Sequence, residues 1–221
     1  MLICRQGNGH YLNGINNQDF CYEERNLKLI TDGCSEGKYS EVGTRLFIQL
    51  FSKLDNRFDV NSFEENVDKA FVKACNIFQE NSISDIREFV VDNMLFTIIA
   101  CFELEDKFVV KYIGDGYIVT VNQNNMLSFI RLSYGKTPPY YAYNKIHTQT
   151  YSEPLKFKTL EFDKAMFKNV GIATDGIMPI AEKKIPEDVE DIILGLDKTY
   201  SLEGIINSNS SSFFDDVTII M

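Results

Sequence analysis

Apolar positions along this chain change texture partway through. Val42, Leu46, Leu50 and Leu54 recur every fourth residue with Phe47 and Phe51 beside them, and Phe63, Val67, Phe71, Ala74 and Phe78 form a second stripe at helical spacing. Both stretches predict amphipathic helices, the second opened by a capping box of Ser62 and Glu65. From residue 94 onward the apolar runs are short and nearly continuous, at 95–102, 108–113, 117–121 and 126–132, then at 157–162 and 169–174. These predict strands, as does the closing run at 217–221. Two further strands, at 20–22 and 27–31, form a hairpin around Glu24-Arg25-Asn26. Val189, Ile192, Ile193 and Leu196 predict a helix after Pro186, and 202–206 a shorter one. The Gly- and Asn-rich stretches at 7–10 and 13–17 predict turns, 208–212 a polar loop, and 136–154 a long irregular excursion. No repeat or linker divides the chain, so one α+β layered domain over residues 1–221 is expected.

Charge narrows the function. Lys and Arg number 22 against 32 Asp and Glu, a net charge of −10, which disfavours nucleic acid and polybasic membrane attachment. No apolar run approaches the roughly 18 residues of a membrane span. The first residues lack the basic patch and apolar stretch of a signal peptide. Cys4, Cys21, Cys34, Cys75 and Cys101 are scattered with no C-x-x-C pair, so neither disulfides nor a structural zinc site is expected. A reduced, cytoplasmic protein follows.

One pattern carries chemistry. Apolar strands run into Asp-Gly at Asp32-Gly33, Asp115-Gly116 and Asp175-Gly176, while Asp215-Asp216 precedes the last strand and Asp19 the first hairpin strand. Any single Asp-Gly reads as a type I′ hairpin turn, and Asp115-Gly116 between two apolar runs fits that well. As a set, carboxylates at the ends of adjacent strands converge on one sheet rim and repel one another. Mg²⁺ or Mn²⁺ resolves that conflict, since both favour carboxylate, carbonyl and water oxygens.

The order of these motifs resembles the metal-dependent type 2C protein serine/threonine phosphatases, especially their compact bacterial branch. The matching pieces are Asn17-Gln18-Asp19, Asp32-Gly33-Cys34-Ser35-Glu36-Gly37, Ser40-Glu41-Val42-Gly43, Phe96-Thr97, Ile113-Gly114-Asp115-Gly116, Ala173-Thr174-Asp175-Gly176 and Asp215-Asp216-Val217-Thr218. The resemblance implies a four-layer αββα sandwich, two antiparallel sheets flanked by helices with metals at one end. It implies that Asp32 bridges two Mn²⁺ or Mg²⁺ ions, that the Gly33 carbonyl binds one, and that Asp175 and Asp215 complete the other. Asp19 would hold metal-bound water and Asp115 a third ion; Asp216 leaves the choice of Asp215 slightly open. Catalysis, at Asp19 and Asp32, would hydrolyse phosphoserine and phosphothreonine esters by attack of a metal-bridging water. A phosphoprotein substrate, a paired kinase and a monomeric enzyme are the implied partners and state.

Two departures matter. The family's phosphate-clamping arginine falls at Gly14, with Arg5 and Arg45 as conceivable substitutes, and the histidine of its animal members falls at Cys34. His10, which could reach the metal rim as a proton donor, is read as a structural or solvated loop histidine and Cys34 as a small spacer; Tyr140, Tyr141, Tyr143 and Tyr151, which could line a substrate-docking surface, are read as packing under a loop; His147 is assigned nothing. The rival functions are a non-catalytic phosphatase-like binding module and a metal-dependent hydrolase of small phosphoesters.

Overall fold

The computed structural model describes residues 1–81, 85–132, 138–146, 153–182, 193 and 202–221. Among these residues, ten strands form two antiparallel sheets. The first contains β1 (Leu2–Arg5), β6 (Gly116–Asn122), β7 (Leu127–Leu132), β9 (Phe167–Ala173) and β10 (Val217–Ile220), in the order β1-β10-β9-β6-β7. The second contains β2 (Phe20–Glu24), β3 (Leu27–Gly33), β4 (Phe96–Glu103), β5 (Lys107–Ile113) and β8 (Lys158–Asp163), in the order β2-β3-β4-β5-β8. Helices α2 (Ser40–Phe51), α3 (Phe63–Asn81) and α4 (Ile86–Asn93) pack on the second sheet; the shorter α5 (Met178–Ala181) and α6 (Leu202–Ser208) pack on the first. The expected helix after Pro186 lies outside the described residues apart from Ile193, as do His147 and Tyr151.

Alternation along each strand explains the four layers. In β3, Leu29 faces the helices with Phe47, Phe71 and Phe96, while its neighbour Ile30 faces the other sheet with Ile99, Ile118 and Ile172. In β6, Tyr117, Val119 and Val121 face α5 and α6, and Ile118 faces inward. Strands buried on both faces have no polar side to show, which is why they read as continuous apolar runs. Lys28 fastens the sheets together, its Nζ donating to the Val170 carbonyl at 3.0 Å.

Four elements escaped the pattern, the short α5 among them. β1 is only four residues long. A six-residue helix, α1 (Asn8–Asn13), occupies the stretch expected to be turns. In α4 the start is capped by Asp85, which accepts from Arg87 N at 3.0 Å.

The corner at Asp115 is no hairpin. β5 and β6 belong to different sheets, so Gly114-Asp115-Gly116 carries the chain from one to the other. Gly114 and Gly116 stand at φ +106° and +129°, where side chains are strained. A Cβ on Gly116 would also meet the Ala173 carbonyl oxygen at 2.7 Å. Gly116→Ala is therefore expected to cost about 2–4 kcal/mol in denaturant unfolding, from backbone strain and overpacking together. Because the same corner aims Asp115, Mn²⁺ affinity measured by calorimetry is expected to fall with it.

Candidate metal centre

The strand ends bring carboxylates together from both sheets. Asp32 is the penultimate residue of β3, paired across the ladder with Thr97 of β4. Asp115 sits on the corner between the sheets. Asp175 opens a single 3₁₀ turn directly after β9, and Asp215 lies two residues before β10. All four line one cavity of about 320 Å³ with Gly33, Cys34, Ser35, Glu36, Thr97 and Tyr140.

Their electrostatics are adverse. Burial first, then the charges of Asp19, Asp175, Asp215 and Asp115, hold the Asp32 carboxyl well above the usual range. Asp175 rises from 3.8 to about 6, through burial and then Asp215 and Asp115. Asp115 is raised by burial above all, and the Arg131 charge partly offsets this. Asp32 and Asp175 share this lining, and two ionised carboxylates stay close only with a proton or cation between them.

The lining suits a hard divalent cation. Its four carboxylates offer oxygens, as Mg²⁺ and Mn²⁺ prefer. Thr97 Oγ1 is buried, with the residue 2% exposed, and has no hydrogen-bond partner, so the cavity floor offers a hydroxyl to a bound water or phosphoryl oxygen. Gly33 has no room for a side chain: a Cβ there would lie 2.9 Å from the Gln18 carbonyl oxygen and from Ser40. Its backbone thus stays open to the cavity.

The other predicted acid lies deeper. Asp19 is 2% exposed and is not part of the lining; its Oδ2 accepts from the Thr174 hydroxyl at 2.8 Å, one residue before Asp175. Asp215 and Asp216, adjacent in sequence, have opposite surroundings. Asp216, 2% exposed, accepts from Gly7 N at 2.7 Å and Gln18 N at 2.6 Å, and faces His10 Nδ1 at 2.8 Å. Those contacts occupy its carboxylate and leave Asp215 as the one that reaches the cavity. His10 is buried between them, Nε2 at 3.8 Å from Asp215 Oδ1, and its pKa is raised, chiefly by Asp216. These three side chains gather ligand-type atoms within 4.8 Å of one another, but the saturated Asp216 makes the trio an ion-paired clip.

The arginine substitutes fare poorly. Gly14 is the C-cap of α1 at φ +67°, so an arginine there would be strained. Arg5 is ion-paired with Glu203, and Arg45 is exposed, over the Phe20 ring at 5.9 Å. The cation whose charge reaches Asp115 and Asp175 is Arg131 of β7, which faces Glu182 at 4.0 Å. Neither Arg131 nor Tyr140 is marked by a sequence motif; pairing of β7 beside Gly116 is what brings Arg131 near.

This geometry is that of a metal-dependent phosphoester hydrolase built on an αββα sandwich. A family model described as protein phosphatase 2C matches residues 6–204, and the chain belongs to that family. No curated protein sequence matches. Among solved structures, the serine/threonine phosphatase Stp1 of Staphylococcus aureus is 13% identical at a TM-score of 0.65, covering 99% of this chain and 92% of its own. The catalytic domain of the serine/threonine phosphatase PstP, in complex with two manganese ions, is 14% identical at 0.65, covering 99% and 94%. The phosphatase PstP/Ppp of Mycobacterium tuberculosis is 14% identical at 0.61, covering 99% and 95%. Likeness at these identities is likeness of fold, and it agrees with the expected sandwich.

The raised carboxyls set a pH dependence. A carboxyl whose folded pKa exceeds its unfolded value binds its proton more tightly when folded, so stability is lost as pH rises through that window. For Asp175 the window runs from 3.8 to about 6. In chelator, Tm is expected to fall by several degrees across it, as scanning calorimetry would record. Saturating Mn²⁺ should abolish the fall, because metal and proton compete for the same oxygens.

Proposed function

We propose that Asp32, Gly33, Asp115, Asp175 and Asp215 bind the Mn²⁺ or Mg²⁺ ions of a protein phosphatase acting on phosphoserine and phosphothreonine. The observation that carries this is the convergence of four mutually repelling carboxylates, with an unpartnered Thr97 hydroxyl, in one cavity. When bound, such ions make water nucleophilic near neutral pH and neutralise charge on phosphoryl oxygens.

The chain's own residues do the rest. Asp32, which feels the charges of Asp19, Asp175, Asp215 and Asp115, would hold the ions together with the Gly33 carbonyl, Asp175 and Asp215. Asp115, held on its glycine corner, would hold a third. Asp19, aligned by Thr174, orients water from behind Asp32. Arg131 adds positive charge for the substrate phosphate, a role Gly14 cannot fill. The substrate is a phosphoprotein, with a kinase as the opposing activity, and the enzyme works as a cytoplasmic monomer. Among the described residues no helix is long and apolar enough to cross a membrane.

Asp32→Asn is the test. It should abolish Mn²⁺-dependent hydrolysis of p-nitrophenyl phosphate and phosphopeptides while leaving circular dichroism unchanged. In chelator the variant should melt higher than wild type, since one repelling charge is gone. More than a few per cent of wild-type turnover at saturating Mn²⁺ would exclude the bridging role. Hydrolysis of small phosphoesters by wild type without any of phosphopeptides would instead favour a small-molecule phosphatase.

A further inference from the structure

Cleaving an alkyl phosphate places an electron pair on the seryl oxygen, a strongly basic leaving group that needs a hydrogen-bond donor. The acids of the cavity are acceptors when ionised. Donors in its lining are Ser35, Thr97, Tyr140, Tyr143 and the Cys34 thiol. Ser35 is exposed, and Thr97 sits at the floor beside Asp32.

Tyr140 is placed differently. It enters from the 138–146 segment, whereas the acids enter from the strand ends. The residue is 7% exposed and belongs to the aromatic core under α2 and α3, with the Tyr143 ring 5.8 Å away, so the phenol is held in one orientation. It lines the cavity together with Cys34, directly after Asp32-Gly33, and with Asp32 and Asp115. The hydroxyl therefore stands where the acidic wall meets the aromatic one.

We propose that the Tyr140 hydroxyl is the hydrogen-bond donor to the leaving oxygen of a seryl or threonyl phosphate. As water attacks phosphorus and the P–O(seryl) bond breaks, its electron pair goes to the seryl oxygen. That oxygen takes the Tyr140 proton, and the phenol recovers one from solvent, matching the proton the attacking water gave up. A tyrosine phenol keeps its proton near neutral pH, so the donor is present in the working range. The proposal rests on the cavity being the site of hydrolysis.

Tyr140→Phe keeps the ring and removes the donor. A nitrophenolate departs without help, whereas a serine alkoxide does not. The ratio of kcat on a phosphoserine peptide to kcat on p-nitrophenyl phosphate should fall about a hundredfold. Over a series of aryl and alkyl phosphates, the dependence of rate on leaving-group basicity should steepen. Calorimetric Mn²⁺ affinity should hold, since no proposed metal ligand is touched. An equal loss on both substrates would mean packing or phosphate binding and overturn the proposal, as would no loss on either. Should the variant fail to fold, the wild-type series decides: a shallow dependence supports an internal donor and a steep one overturns it. Wild type inert toward every phosphoester with Mn²⁺ would overturn the reading of the cavity and the proposal with it.

Discussion

Like charges held close together are the constraint around which this molecule is organised. Asp32, Asp115, Asp175 and Asp215 share one cavity, and Asp32 feels repulsion from each of the others and from Asp19. Left to itself, a loop-borne cluster of this kind would spread into water. Here each acid is tied to the end of a strand or a corner whose other residues are buried in apolar layers. Relaxing the repulsion would mean moving a strand, and a strand buried on both faces moves only at the expense of close packing.

The cluster also spans the two sheets. Asp32 and Thr97 belong to the second sheet, Asp175 and Asp215 to the ends of β9 and β10 in the first, and Asp115 to the corner between them. Between the sheets lies a dry layer of Ile30, Ile99, Ile118, Ile172 and Ile220, with Lys28 as a polar strap. That layer sets the sheet separation and so sets the spacing of the acids. Any ion held across the cluster would in turn couple the sheets, so ligand binding and global stability are linked here by construction.

Much of this was legible in the chain. Strands buried on both faces announce themselves as continuous apolar runs, and the Asp-Gly pairs at their ends mark the rim. Asp115 shows where local reading stops: Asp-Gly between apolar runs is also the commonest hairpin signal, and only sheet membership tells a hairpin from a crossover. The motif pointed to Asp215, and Asp216 kept that choice slightly open for a related reason. Their difference lies in Gly7, His10 and Gln18, two hundred residues away in sequence, which saturate one carboxylate and not the other. β1 and α1 were too short for any periodicity to register. Tyr140 and Arg131 carry no motif because their relation to the cavity is set by packing and strand pairing.

The clip at Asp216 bears on the cavity more than its distance from the lining suggests. Its carboxylate gathers Gly7, His10 and Gln18, so the chain before β2 is pinned to the residue just ahead of β10. Asp19 follows Gln18 directly and Asp215 precedes Asp216 directly, so the same clip sets the backbone of one acid on each side of the cluster. Thr174 closes the arrangement from a third side, donating to Asp19 while accepting from Thr218 N at 3.0 Å. A buried carboxylate with two backbone donors and a facing imidazole is strongly held, and removing it would leave those donors unpaired. Asp216 therefore shapes the site without entering it: its neighbour can face the cavity because its own charge is already satisfied.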